Sequence, residues 1–119
     1  MFELTVESSF DAAHALRGYR GKCENLHGHI WKVQVLLKGK KLNRLGLMVD
    51  FREIKTHLSA VVDQLDHKNL NDFPQFKKIN PSSENVARWI YNQLRAKLPP
   101  LYKVSVSETP GSTASYYLE

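Results

Sequence analysis

Residues 2–10 alternate between apolar and polar positions. Phe2, Leu4, Val6 and Phe10 share one parity, and Glu3, Thr5, Glu7 and Ser9 share the other. A period of two is the signature of a strand with one buried face. Residues 15–26 hold Gly18, Gly21 and several polar residues, and read as a loop. Alternation returns over 27–38, with His27, His29, Trp31, Val33, Val35 and Leu37 on one face. Lys32, Gln34 and Lys38 take the other face, where Ile30 and Leu36 are exceptions.

Gly39 to Gly46 is a turn-rich connection, after which the period lengthens. Asp50 is placed to cap a helix, with Glu53 three residues on as in a capping box. Phe51, Ile54, Leu58, Val61, Val62 and Leu65 then recur at helical spacing. Residues 66–81 form a polar connection containing Pro74 and Pro81. Ser82 or Ser83 can cap a second helix, with Glu84 in its first turn. Val86, Trp89, Ile90, Leu94 and Leu98 give that helix an apolar stripe, and Pro99 and Pro100 stop it. Residues 102–108 alternate again, with Tyr102, Val104, Val106 and Glu108 on one face, and Pro110-Gly111 turns the chain into a short strand around 114–118.

The order is therefore ββααββ, without an internal repeat or domain boundary. It predicts one α+β domain over 1–119, a four-stranded antiparallel sheet with two helices on one face. The length of 119 residues fits one domain with one core, and 42% apolar with 24% charged residues is an ordinary globular balance. Association would offset the unfavourable surface-to-volume ratio of so short a chain.

No apolar run approaches the roughly 18 residues that span a bilayer, so no membrane partner is expected. The N-terminus carries acids where a signal peptide would carry bases, which makes a cytoplasmic location the expectation. Cys23 is the single cysteine and has no internal disulfide partner, in keeping with a reducing compartment. The net charge is +5, but the basic residues are scattered and not interleaved with aromatics, so nucleic acid is not an expected partner.

The candidate chemistry begins at His27-Gly28-His29. Side chains two apart on a strand point to the same face, so both imidazoles can reach one ion. His14 has the parity of Phe10. If the first two strands pair as a hairpin, and the extended geometry continues through Asp11 to Ala13, His14 lies near the other two. Three imidazoles suit zinc and leave a fourth position for water or substrate, the mark of a catalytic site.

Other positions carry two readings each. Cys23 is either a buried inert residue or, beside a cation, a thiol with thiolate character. Asp66-His67 is either an acid orienting an imidazole or the last turn of a helix. Glu108 ends an apolar strand face, where it is either solvated or held to accept two N–H groups of a ligand.

Six segments resemble the 6-pyruvoyl-tetrahydropterin synthase family. They are FDAAH (10–14), CENLHGH (23–29), GLMVDF (46–51), LDHKNLND (65–72), NPSSENVARWI (80–90) and SETP (107–110). Within the family the chain is most similar to the bacterial 6-carboxytetrahydropterin synthases of queuosine biosynthesis. The resemblance implies the tunnelling fold, in which sheets join between subunits into a barrel. The barrel is usually a trimer stacked into a hexamer, with sites between subunits. It implies 7,8-dihydroneopterin triphosphate as substrate and zinc on His14, His27 and His29. Cys23 matches the catalytic cysteine, Asp66 and His67 complete its group, Glu108 matches the pterin anchor, and Ser82 and Ser83 match hydroxyl residues beside the pterin. The family often has Thr in that pair. Arg17 or Lys22 are candidates to meet the triphosphate.

On this resemblance the product is 6-carboxy-5,6,7,8-tetrahydropterin, with acetaldehyde and triphosphate released. Glu24 opens a second possibility. In members that make 6-hydroxymethyl-7,8-dihydropterin for folate synthesis, a glutamate near this place replaces the cysteine, and the present chain resembles those carrying both. Glu24 is then a base for a retro-aldol cleavage, or else a solvated loop residue. A 6-pyruvoyl product and a non-catalytic zinc-binding module are further alternatives.

Overall fold

A computed structural model describes residues 1–19 and 25–119. Strand β1 (Phe2–His14) and strand β2 (His27–Gly39) form a long antiparallel hairpin. Their register runs without a bulge from Phe2 opposite Gly39 to His14 opposite His27. Directly opposed residues in an antiparallel pair point to the same side. Val6, Phe10, Ala12, Trp31, Val33, Val35 and Leu37 are therefore buried together on one face. The opposite face carries Glu3, Glu7, Lys32 and Gln34, and Ile30 stands exposed there.

Helices α1 (Phe51–Leu65) and α2 (Ser83–Leu94) cover the apolar face. Asp50 caps α1 by accepting from the Arg52 N–H, and Ser82 caps α2 by accepting from the Asn85 N–H. Ile54, Leu58, Val61, Val62 and Leu65 of α1, and Val86, Ala87, Ile90, Tyr91 and Leu94 of α2, complete the core. Phe51, at the helical spacing, lies exposed in the first turn of α1. Trp89 is half-buried against Phe76, with ring centroids 6.4 Å apart.

Strand β4 (Leu101–Thr109) pairs antiparallel with β2, and β5 (Ser112–Tyr117) pairs with β4 across a turn at Gly111, whose φ is +93°. One expectation is corrected. The sheet has five strands rather than four and is mixed rather than antiparallel, in the order β3-β1-β2-β4-β5. Strand β3 (Lys68–Asn69) runs parallel to β1 beside Ala12 and Ala13. It forms where a polar connection was expected because tertiary hydrogen bonds hold it there. Asp66 Oδ1 accepts the Asp11 N–H at 2.9 Å, and the His67 N–H donates to the Asp11 carbonyl at 2.6 Å. His67 turns the chain with φ at +58°. Leu70 and Phe76 then insert into the core. Among the described residues β5 has a partner on one side only, and β1 is paired on its outer side only at Ala12 and Ala13. Among the described residues no helix is long and apolar enough to cross a membrane.

Candidate metal centre

The hairpin register decides what lies at the end of the buried face. Phe10 stands opposite Trp31, Ala12 opposite His29 and His14 opposite His27. The histidines therefore continue the row of core side chains beyond the helices. The Phe10 and Trp31 rings stack at 5.7 Å, and the His14 ring meets Trp31 edge-on at 4.7 Å. The imidazole centroids of His14 and His27 are 4.5 Å apart, and those of His27 and His29 are 4.9 Å apart. The extended geometry does reach His14, as the sequence reading required.

Glu108 arrives from β4. Val104 and Val106 face the core, and Glu108 continues that face. Its Oε2 lies 2.6 Å from His14 Nε2 and 3.9 Å from both His27 Nε2 and His29 Nε2. The four side chains offer ligand atoms all within 4.8 Å of one another.

The backbone fixes which imidazole nitrogen is free. His14 Nδ1 lies 2.7 Å from the Pro81 carbonyl, and His27 Nδ1 lies 2.7 Å from the Asn25 carbonyl. A carbonyl only accepts, so each Nδ1 carries the proton, and in a neutral ring Nε2 presents a lone pair. Such anchoring of the far nitrogen is how metal-bound histidines are oriented.

A metal fits this arrangement. His14 is 1% exposed, and neither its Nε2 nor the facing Glu108 Oε2 has a hydrogen-bond donor directed at it among the described residues. Two lone pairs held 2.6 Å apart repel unless a cation lies between or beside them. A proton would relieve one contact, whereas a metal ion would satisfy all three nitrogens and the carboxylate together.

The other predicted residues fall in several places. Cys23 and Glu24, with Lys22, lie outside the described residues. Asp66 and His67 are not part of the imidazole cluster. They gather with Asp11, which faces away from His14 across β1 by strand alternation. There Asp11 and His67 border a cavity of about 540 Å³ that also touches Gly28, His29 and Lys68. Asp66 Oδ2 is 3.5 Å from His67 Nε2, and the His67 side chain is 76% exposed. Ser83 lines a smaller cavity of about 220 Å³ with Glu108, Ser112 and Thr113. Ser82 precedes it in sequence and does not line that cavity, its hydroxyl oxygen being engaged as the α2 cap.

Two findings go beyond the sequence reading. Glu84 lines the smaller cavity, giving it a second carboxylate. The available signal was its place one residue past Ser83, masked by its ordinary helix-start role. Arg17 is the second. Its guanidinium donates to the carbonyls of Phe76 and Ile79, a tertiary engagement that no local pattern reveals.

A sequence profile of the 6-pyruvoyl tetrahydropterin synthase family matches residues 3–119. The chain belongs to that family. Among its relatives is the 6-carboxy-5,6,7,8-tetrahydropterin synthase of Synechocystis sp., 38% identical over 98% of this chain and 94% of the relative. Another is the dihydroneopterin monophosphate aldolase of Pyrococcus furiosus, 39% identical over 81% of this chain and 77% of the relative. The solved structure of Caenorhabditis elegans 6-pyruvoyl tetrahydropterin synthase superposes with a TM-score of 0.87 at 33% identity, covering all of this chain and 98% of the other. The tetrahydropterin synthase family thus accounts for the whole fold, and members with three different named activities lie at similar distances.

Proposed function

We propose that this protein converts 7,8-dihydroneopterin triphosphate to 6-carboxy-5,6,7,8-tetrahydropterin, releasing acetaldehyde and triphosphate, at a zinc ion held by His14, His27 and His29. The observation that carries the reading is the convergence of three Nε2 atoms on one carboxylate oxygen, with two of the rings anchored through Nδ1. A set of three imidazole nitrogens suits zinc better than calcium or magnesium, which prefer oxygen cages. The near full-length match to a 6-carboxytetrahydropterin synthase favours this product.

When bound, zinc would polarise the side-chain hydroxyls of the pterin and acidify the neighbouring C–H bonds. Cys23 Sγ would take the proton as general base. His67 would carry protons to and from the side chain, and Asp66 would steady its ring through the contact at Nε2. The pyrimidine edge would lie in the cavity of Ser83, Glu84 and Glu108, where carboxylates can accept paired N–H groups. Ser82 would add a hydroxyl beside it. Fixing that edge leaves the side chain one direction in which to reach the metal.

Asp66 and His67 group with Asp11 apart from the imidazole cluster, and among the described residues the sheet leaves open edges along β1 and β5. Both features support sites completed between subunits of a homo-oligomer, a trimer stacked to a hexamer whose closed barrel removes the edges.

A second reading is favoured by the likeness to the P. furiosus aldolase. Glu24 would serve as base for cleavage to 6-hydroxymethyl-7,8-dihydropterin, alone or alongside the first activity. One experiment separates the readings: incubate purified zinc-loaded protein with 7,8-dihydroneopterin triphosphate and identify the pterins by mass spectrometry. A 6-carboxy product with acetaldehyde supports the main reading. A 6-hydroxymethyl product that disappears in Glu24→Ala supports the second, and a 6-pyruvoyl product alone overturns both.

A further inference from the structure

Strand β1 ends at His14, and the chain turns over Leu16 to Tyr19, where the Tyr19 N–H donates to the Leu16 carbonyl. Two asparagine side chains hold the backbone of this segment. Asn71 Oδ1 accepts the Ala15 N–H at 2.8 Å, and Asn71 Nδ2 donates to the Ala15 carbonyl at 3.0 Å. Two residues on, Asn80 Oδ1 accepts the Arg17 N–H at 2.9 Å, and Asn80 Nδ2 donates to the Arg17 carbonyl at 3.0 Å. Each carboxamide presents a donor and an acceptor to one residue, as a strand's backbone would. Their sequence separations of 56 and 63 residues mean that these bonds serve tertiary placement and not a local turn.

Asn80 is tied down in its turn. Its carbonyl accepts from Asn85 Nδ2 at 2.9 Å, which references it to the first turn of α2. The next residue, Pro81, supplies the carbonyl that receives His14 Nδ1. The Asn80-Pro81 dipeptide therefore grips the end of β1 and the turn after it at two points, the ring of His14 and the backbone of Arg17. Arg17 is exposed, so its bonds to Asn80 compete with water and add little stability. Geometry is what they control. A ligand ring must be held to within about 0.5 Å for its metal.

We propose that Asn80, with Asn71 beside it, is a positioning residue for the metal centre, fixing the direction of His14 Nε2 through the Pro81 carbonyl. The inference rests on the reading of His14 as a metal ligand. Removal of groups that orient a metal-bound histidine costs 10–100-fold in metal affinity, and Asn80→Ala falls in that range.

The test measures zinc affinity by competition with a chromophoric chelator, the visible absorption of the cobalt-substituted protein, and the melting temperature of the metal-free protein. Asn43→Ala is the control. Asn43 Oδ1 also accepts two backbone N–H groups, from Leu45 at 2.9 Å and Leu47 at 3.1 Å, in a turn outside the site. Expected are a 10–100-fold loss of zinc affinity and an altered cobalt spectrum for Asn80→Ala, with wild-type values for Asn43→Ala. Asn80→Asp keeps the acceptor for the Arg17 N–H and loses the donor, so its loss is intermediate. It replaces Asn80→Ala as the deciding variant if that protein does not fold. Wild-type affinity and spectrum in the deciding variant overturn the inference, as does an equal loss in Asn43→Ala. A wild-type protein that binds neither zinc nor cobalt instead overturns the metal reading itself.

Discussion

His14 and His27 offer the same imidazole to the same point, but the structure embeds them differently, and that difference is measurable. His14 is 1% exposed and its Nδ1 proton goes to the carbonyl of buried Pro81, whereas His27 is 25% exposed and bonds the exposed Asn25. In the metal-free protein, His14→Ala strands a buried carbonyl, which costs about 1–3 kcal/mol. It also opens a void beside Trp31, which adds roughly 1 kcal/mol more. His27→Ala exposes its carbonyl to water and costs about 0.5 kcal/mol or less. With an unfolding entropy of about 2.1 cal/mol/K per residue, each kcal/mol shifts the melting temperature of a chain this size by about 4 °C. His14→Ala should therefore melt about 8–16 °C below wild type in EDTA, and His27→Ala within about 2 °C of it. Both variants lose a ligand, so both should lose the zinc-induced rise in melting temperature shown by wild type. Circular dichroism melts with and without zinc make the comparison. Equal destabilisation of the two metal-free variants would refute the account of the buried anchor. A full zinc-induced rise in either would refute the shared ion.

Cys23→Ala should retain zinc, measured by metal analysis, and lose turnover by about 100-fold or more, as expected for a missing general base; unchanged turnover would remove the thiol from the mechanism. The left-handed backbone at His67 gives a second separation of roles. His67→Val should lower the melting temperature by about 4–8 °C, since a β-branched residue there costs roughly 1–2 kcal/mol. His67→Asn should melt within a degree or two of wild type, because Asn tolerates that region, while both variants lose turnover.

Much of the architecture was legible from periodicity. Alternation in β1 and β2 set which side chains face inward, and His27-Gly28-His29 could only place its two rings on one face. The helical stripes marked both covering helices, and the parity of Val104, Val106 and Glu108 already aimed the carboxylate at the core side. These are short-range properties, fixed by backbone geometry within a few residues. What they left open was distance. Glu108 faced two readings until β4 laid it among three imidazole nitrogens. The bonds from the Arg17 guanidinium to the carbonyls of Phe76 and Ile79 had no local signal. Strand β3 had no periodic signal at all, since two residues cannot show one. Asp66, His67, Asn71 and Asn80 join β1 and the segment just after it through bonds spanning 55 to 63 residues of sequence. Those bonds depend on the path of the chain around the core, and only the folded chain brings their donors and acceptors together.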